Sequence, residues 1–423
     1  MLTGLERIKQ LVDENPTRKL QTLIHLINKM TLKEVHQRQE AGKASGIDKV
    51  TKSEYEKNLE ENLDRLLSRM KTFSYRPQPV RRTYIEKEGT DELRPLGIPA
   101  YEDRLVQGVI AEILNVIYEP KFHDFSYGFR VGRDCHKAIK FLDDKLMGKT
   151  NWVVDADIKG FFNNVDHEWM MKFLEHEIED KNLLRYIKRF LKSGIMESGN
   201  FIETDSGVPQ GGLCSPIMAN VYLHYVLDMW FDKVVKKNAR GDCGMVRYAD
   251  DFVCWFQHKD DAENFYEGLK ERLAKFGLEI SEEKSKIIKF GRFAGDDAGK
   301  FDFLGFTILT GKSRKGTYLP KYRTSGKKLK AKKKKVKKWM KINMHAPIDA
   351  LIDKLNLKLR GHYNYYGLSH NLRQMVGFFK YVRYELFKAL KRRSNDSKMN
   401  WDVFGKIESY NPLSKPKITV PLW

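Results

Sequence analysis

The sequence predicts an α+β fold, and three observations carry that prediction. Between residues 80 and 310, short β-branched and aromatic runs such as WVVDADI, MVRYADDFVCWF and FDFLGFTIL are interspersed with apolar residues at helical spacing, in mixed order. On either side of that region the periodicity is helical. Hydrophobic residues make up 41% and aromatics 12% of 423 residues, a globular composition whose length divides into two or three domains.

The elements follow in chain order. Residues 1–70 place Leu20, Leu23, Ile24 and Ile27 on one helical face and Leu59, Leu63, Leu66 and Leu67 on another, with the loop GKASGIDKVT between them. YRPQPVRRTYIEKEGTDELRPLGIP reads as two extended segments around a turn at Gly89, bracketed by prolines that exclude helix. From Leu105 to Ile117 apolar positions recur at helical spacing until Pro120 stops them. WVVDADI is a strand. SPIMANVYLHYVLDMWF is a helix with Ser215 as its cap and Pro216 at its first position. MVRYADDFVCWF is extended around Asp250 and Asp251, NFYEGLKERLAKF is helical, and FDFLGFTIL is a strand. Past Pro320 the composition shifts. Residues 321–341, KYRTSGKKLKAKKKKVKKWMK, hold a dozen Lys or Arg and no acid. Leu329, Val336, Trp339 and Met340 form one apolar stripe, so the lysines line the exposed side of a helix. Ile348, Leu351, Ile352, Leu355 and Leu359 mark a second helix, and Val376, Phe379, Val382, Leu386 and Leu390 a third. The expected domains are a helical N-terminal extension over 1–70 with its loop at 42–51, a mixed region over 71–310, and a basic helical region over 311–423.

Lys and Arg number 77 against 56 Asp and Glu, a net charge of +21, which calls for a polyanionic partner. No run of about 18 apolar residues exists to span a bilayer, and the basic segments are interleaved with Tyr, Phe and Trp, so nucleic acid is favoured over a membrane surface or an acidic protein. Cys135, Cys214, Cys243 and Cys254 form no CxxC pair, which indicates neither a disulfide framework nor a cysteine-rich zinc site. The N-terminus lacks the apolar core of a signal peptide. A cytoplasmic protein is expected.

Asp250 and Asp251 raise the sharpest question, because Val246, Tyr248, Phe252, Val253 and Trp255 surround them. A solvated turn would explain an isolated acidic pair. In a sheet core, unpaired carboxylates cost several kcal/mol and need a counter-charge. Lysine or arginine would serve, but a divalent cation compensates more completely, and hard oxygen ligands are what Mg²⁺ prefers. Asp155 and Asp157, two apart on one face of a strand, supply candidates for a further ligand, with Phe161 and Phe162 beside them. Three carboxylates on adjacent strands would hold two Mg²⁺ ions, the arrangement used for in-line phosphoryl transfer.

The motifs DADIKGFFNNVDH, GVPQGGLCSPIMANVYLHYVLD, VRYADDFV, GLEISEEKSKI and FLGF, in that order, resemble the palm of reverse transcriptases encoded by bacterial group II introns. GIDKVTKSEYEKNL resembles that family's N-terminal extension, YRPQPVRRTYIEKEGTDELRPLGIP its fingers hairpin, and FHDFSYGFRVGR the segment after it. LNLKLRGHYNYYGLSHN and WDVFGKIESYNPLSKPKI resemble its thumb-linked maturase domain. The resemblance covers nearly the whole chain from about residue 42. It implies a right-hand polymerase of fingers, palm and thumb, with an antiparallel palm sheet packed on helices and a C-terminal helical thumb and maturase domain.

The activity so implied is RNA-directed DNA polymerisation, in which dNTPs are added to a primer 3′-hydroxyl with two Mg²⁺ ions, Mn²⁺ being a substitute. Asp157, Asp250 and Asp251 match the family's catalytic, metal-binding aspartates, with the Ile158 carbonyl as a further metal ligand. Lys87 and Arg94 match the residues that grip the triphosphate. Phe162 matches the aromatic under the sugar that excludes a 2′-hydroxyl. Gln210 lines the nucleotide pocket, with Gly211 and Gly212 allowing close backbone approach. Asp155 is expected to support its strand by hydrogen bonding.

Lys327, Lys328, Lys330, Lys334, Lys335 and Lys338 are expected to track the phosphates of an RNA template paired with a DNA or RNA primer. A group II intron RNA is a further implied partner, held for splicing and mobility through the N-terminal extension and the helical HYNYY region, where Tyr363, Tyr365 and Tyr366 would stack on bases or equally pack between helices. The alternatives are a free-standing enzyme of this type recruited to phage defence, DNA repair or CRISPR spacer acquisition, and a non-catalytic RNA-binding splicing factor. The sequence departs from the family pattern in three places: Glu86 stands where proline is usual, Asn163 where aspartate is, and Lys49 where glycine is. Many relatives append an HNH endonuclease; cleavage of a second DNA strand is not expected from this chain.

Overall fold

The computed structural model describes residues 4–86, 93–209, 211–313, 315–393 and 398–422. Its strands are β1 (Val80–Glu86), β2 (Leu93–Ile98), β3 (Trp152–Asp157), β4 (Ile195–Glu197), β5 (Asn200–Ile202), β6 (Cys243–Tyr248), β7 (Asp251–Phe256), β8 (Lys286–Lys289), β9 (Lys300–Phe303), β10 (Phe306–Lys312) and β11 (Tyr318–Thr324). They form three sheets of order β2-β1-β4-β5, β6-β7-β3-β8 and β11-β10-β9.

The second of these is the centre of the molecule and is antiparallel throughout. Its strands read as nearly continuous apolar runs because both faces are covered. Val154, Ala156, Phe252, Cys254 and Phe256 join a core shared with the helices Tyr101–Tyr118, Ser215–Leu223 and Lys259–Lys275. On the opposite face Val153, Val246, Val253, Trp255 and Ile288 join a core shared with the helices Cys135–Leu146, Ile348–Tyr366 and Leu372–Lys391. Period-two alternation thus assigns successive residues of one strand to different cores.

The first sheet is the proline-bracketed hairpin, β1 against β2, extended by β4 running parallel to β1. The GIDKVT loop seats it. Asp48 accepts the Tyr101 N–H at 2.7 Å, capping the long helix from a distance, and Arg81 donates to the Ser45 carbonyl at 2.6 Å. FLGF forms the β9–β10 hairpin, whose two turn residues Leu304 and Gly305 both have positive φ, 49° and 79°.

Four local expectations change. Residues 20–27 hold one 3₁₀ turn, Ile24–Leu26, instead of a helical face. Leu20 bridges to Ile178, and the N–H groups of Leu23 and Ile24 donate to the Asp180 carboxylate at 2.6 and 2.7 Å, so a tertiary anchor replaces the helix. Ser215 is the first helical residue and not the cap; its hydroxyl donates to the Pro209 carbonyl at 2.7 Å. The basic segment begins as strand β11 before the helix Gly326–Asn343. The last long helix buries Met375 and Phe378 in place of Val376 and Phe379, which are half-buried. Among the described residues no helix is long and apolar enough to cross a membrane.

Candidate active site

Asp157 is the last residue of β3 and Asp251 the first of β7, and the register sets the two opposite each other. Directly opposed residues share a face, and so does Asp155 two positions back. Asp250 lies in the two-residue turn with Ala249, which is held at φ 58°. Three separate facts of sequence, two strand ends and one hairpin turn, thereby converge on one edge of the central sheet.

The electrostatics follow from that crowding. Burial pushes the Asp251 carboxyl up to about 8, helped by the charges of Asp155 and Asp250 and opposed by a backbone hydrogen bond from Leu304. Burial also raises Asp250, with the Asp157 charge adding to it and Arg94 and Arg247 opposing. Asp155 is pushed up to about 7 by burial and then by Asp302 and Asp157. The expectation that Asp155 supports its strand through a hydrogen bond is not met: among the described residues none reaches its carboxylate. The strand is held by its ladders to β7 and β8, and at its end the Asp157 N–H donates to Ser285 Oγ at 3.2 Å.

This donor set suits a hard divalent cation. All its ligand atoms are oxygens, and their mutual repulsion is what a doubly charged ion relieves. The Ile158 carbonyl would be a further oxygen for such an ion. Ile158 forms an isolated bridge with Ile280 in which the bonds run from Lys159 N–H to Glu279 O and from Ser281 N–H to Asp157 O, both 2.8 Å, so the bridge does not consume its carbonyl. Among the described residues no three His, Cys, Asp or Glu side chains already stand in a metal-ligating group. Lys284 Nζ donates to Asp157 Oδ2 at 3.1 Å, a cation resting on the half-exposed carboxylate.

Of the remaining residues singled out from sequence, Lys87 and Gln210 lie outside the described residues. Arg94, on β2, comes close enough to favour the ionised form of Asp250. Phe162 is half-buried at a cavity of about 190 Å³ that Arg82, Asn163, Gly207 and Pro209 also line. Val208 N–H donates to its carbonyl at 2.7 Å, and Phe161 packs edge-on to its ring at 5.2 Å. Gly211, at φ 118°, does allow a close approach, but to protein: a Cβ there would lie 2.6 Å from the Gly97 carbonyl oxygen. Lys327, Lys330, Lys334, Lys335 and Lys338 are exposed on one helix and Lys328 is half-buried. Tyr363 and Tyr366 are buried, and Tyr365 donates to the Leu304 carbonyl at 2.9 Å while stacking on Phe306. Of the two readings of these tyrosines, their burial and contacts favour packing between helices over stacking on bases.

The sequence reading missed Lys284, Leu304 and a buried network around Arg247. The signal for the last was present: an arginine inside the apolar strand MVRYADDF, and an aspartate, Asp228, inside the apolar helix LHYVLDMWF. Two opposite charges that cannot reach water must find each other.

A helix-backed antiparallel sheet with an acidic edge, faced by an arginine-bearing hairpin and followed by a basic helical region, defines a right-hand polymerase of fingers, palm and thumb. The family profile described as reverse transcriptase (RNA-dependent DNA polymerase) matches residues 85–308, and that of the group II intron maturase-specific domain matches residues 329–404. The chain belongs to the group II intron-encoded reverse transcriptases with a maturase domain, enzymes of the RNA-directed DNA polymerase class that use divalent metal ions. It is 32% identical over 407 residues to the group II intron-encoded protein LtrA of Lactococcus lactis subsp. cremoris, covering 78% of this chain and 67% of the relative. It is 32% identical over 304 residues to protein YkfC of Escherichia coli, covering 64% and 77%. A telomerase structure from Candida albicans, in complex with a fragment of telomeric RNA, aligns at a TM-score of 0.47 and 12% identity over 85% of this chain and 65% of that one, too loosely to carry any step here.

Proposed function

We propose that this chain extends a DNA or RNA primer on an RNA template at the edge where Asp157, Asp250 and Asp251 meet, and that Mg²⁺ is the ion these residues and the Ile158 carbonyl hold. The observation that carries this is the register of β3 and β7, which brings two acidic strand ends and an acidic turn together in a site that burial and like charge make unfavourable without a cation. Two bound Mg²⁺ ions would supply Lewis acidity at the primer 3′-hydroxyl and neutralise the triphosphate.

The chain's own groups do the rest. Arg94 offers a bidentate fork to phosphate oxygens above Asp250. Phe162, fixed through its backbone and by Phe161, fills the space a 2′-hydroxyl would need, which selects dNTPs. Lys284 leaves Asp157 Oδ2 when metal and nucleotide arrive, since one carboxylate oxygen does not serve an ammonium and a metal ion equally. The exposed lysines of Gly326–Asn343 follow the phosphates of the template–primer duplex. Group II intron RNA is the further partner, bound for splicing as a maturase.

Primer extension on an RNA template tests the reading directly. Asp250→Ala should lower incorporation by roughly a thousandfold, the several kcal/mol that charge stabilisation by a metal site contributes. Equal incorporation by the two proteins would leave only an RNA-binding splicing factor.

A further inference from the structure

All five N–H groups of the Arg247 guanidinium are engaged inside the protein, and one of them holds the turn that carries Asp250. Nε and one Nη2 hydrogen donate to the two carboxylate oxygens of Asp228 at 2.7 and 2.5 Å. The other Nη2 hydrogen goes to Ser126 Oγ at 2.8 Å. Nη1 donates to Asn220 Oδ1 at 3.1 Å and to the Ala249 carbonyl at 2.9 Å. Arg247, Asp228, Asn220 and Ser126 are each 0% exposed.

Asn220 closes this network into a ring. While its Oδ1 accepts from Arg247, its Nδ2 donates to the Gly128 carbonyl at 2.7 Å. Gly128 in turn backs onto the turn so closely that a Cβ there would meet the Ala249 nitrogen at 2.2 Å. The residue preceding Asp250 is thus gripped from two sides, by a guanidinium on its carbonyl and by a glycine against its amide. Asn220 ties the two gripping groups together, accepting from Arg247 and donating to Gly128.

A buried ion pair is poor evidence of stabilisation, because apolar groups of the same shape often serve as well. Apolar packing would not supply two directional contacts to a left-handed residue next to a carboxylate. We propose that Arg247, Asn220 and Asp228 are positioning residues of the active site, which lock the Ala249–Asp250 turn so that Asp250 and Asp251 take a divalent cation together. This rests on the metal reading above. The residues touch neither substrate nor metal; they act through the turn.

Mn²⁺ binding, followed by electron paramagnetic resonance on the full chain with a dideoxy-terminated primer–template and the next dNTP, separates positioning from packing. Asn220→Ala removes an acceptor of Arg247 Nη1 and the donor to the Gly128 carbonyl, loosening both supports of the turn, and should weaken Mn²⁺ by about 10- to 100-fold, the range seen when a residue that orients a metal ligand is removed. kcat should fall in parallel while the Kd for primer–template stays unchanged. Ser126→Ala removes a guanidinium acceptor away from the turn and should bind Mn²⁺ like the wild type even if its Tm drops. Wild-type Mn²⁺ affinity in a folded Asn220→Ala with a lowered Tm would overturn the proposal. Should that variant not fold, Asn220→Asp, which keeps the acceptor for Arg247 and loses the donor to Gly128, takes its place with the same two results. A wild type that binds no Mn²⁺, or Asp250→Ala that binds it equally well, would instead overturn the metal reading.

Discussion

Lys49 stands in the GIDKVT loop with φ at 58°, the left-handed region, and is exposed. That is where the family resemblance led one to expect glycine, and the backbone has kept the conformation while the sequence has not kept the residue. A side chain there costs roughly 1–2 kcal/mol, part of which glycine returns through its freer unfolded chain. Lys49→Gly should therefore raise stability by about 0.5–1 kcal/mol in urea denaturation, without altering activity; a destabilised variant would contradict the strain. Asp103 makes a second prediction. It is buried in the first turn of the helix Tyr101–Tyr118 and accepts hydrogen bonds from the Tyr75 hydroxyl and, at 2.9 Å, from the Gln78 amide. Burial outweighs those bonds and pushes its carboxyl up to about 7. The unfolded group titrates near 4, so between the two values the folded state binds the extra proton, and stability falls as pH rises through that window and levels off above it. Asp103→Asn should flatten the pH dependence of the unfolding free energy from urea titrations between about pH 4 and 7, by an amount on the order of a few kcal/mol. An unchanged slope would show that other groups set it. At this scale the candidate acidic residues were legible because their types and order are distinctive, and Arg247 was legible as a charge inside an apolar strand that needs a partner; Lys284 and Leu304 were not, because what matters in them is which distant atom they reach.

The helix Gly326–Asn343 buries only Val336 and Met340 and leaves most of its lysines outside. Lys332 and Lys333 are exceptions: they lie over the rings of Tyr366 and Tyr381 at 5.1 and 5.2 Å and fasten the helix to its neighbours. Replacing the exposed Lys327, Lys330, Lys334 and Lys338 together by Gln keeps helix propensity and removes four charges. If each meets a phosphate, the slope of log K against log salt for primer–template should shrink by about three to four units. Fluorescence anisotropy across a KCl series reads this, and kcat at saturating primer–template should not change; an unaltered slope would make the lysines a solvated face. Elements of this kind were readable from sequence, since a stripe repeating every three or four residues fixes both helix and orientation. The three-residue strands β4 and β5 were not, being too short to show a period. Residues 20–27 were misread because apolar spacing cannot tell a helix from a chain pinned by Asp180.

The molecule as a whole is organised by a sheet with no solvent face. Val253 and Trp255 point into the core with the C-terminal helices, while Phe252, Cys254 and Phe256 point into the core with the N-terminal ones. Polar contacts inside the second core fasten the C-terminal elements to the helix Cys135–Leu146 and to one another: Tyr322 donates to Asp143 at 2.8 Å, a His136 ring nitrogen meets the Tyr365 carbonyl at 2.8 Å, and Asn371 donates to Thr324 Oγ1 and the Tyr366 carbonyl at 2.9 and 2.8 Å. A sheet shared in this way should couple the two cores. Trp255 is 3% exposed and packs edge-on to Phe141 at 6.0 Å. Trp255→Ala should cost about 3–5 kcal/mol. Because loss of one face strips cover from strands that the other core needs, thermal unfolding followed by calorimetry should remain one transition displaced to lower temperature. If the cores were independent, the trace would split, and only the transition of the C-terminal core would move. The same coupling predicts that a chain ending near residue 310 leaves the face of Val153, Val253, Trp255 and Ile288 covered by the helix Cys135–Leu146 without the C-terminal helices, an incompletely covered apolar face that binds hydrophobic dyes and aggregates instead of behaving as a free-standing polymerase.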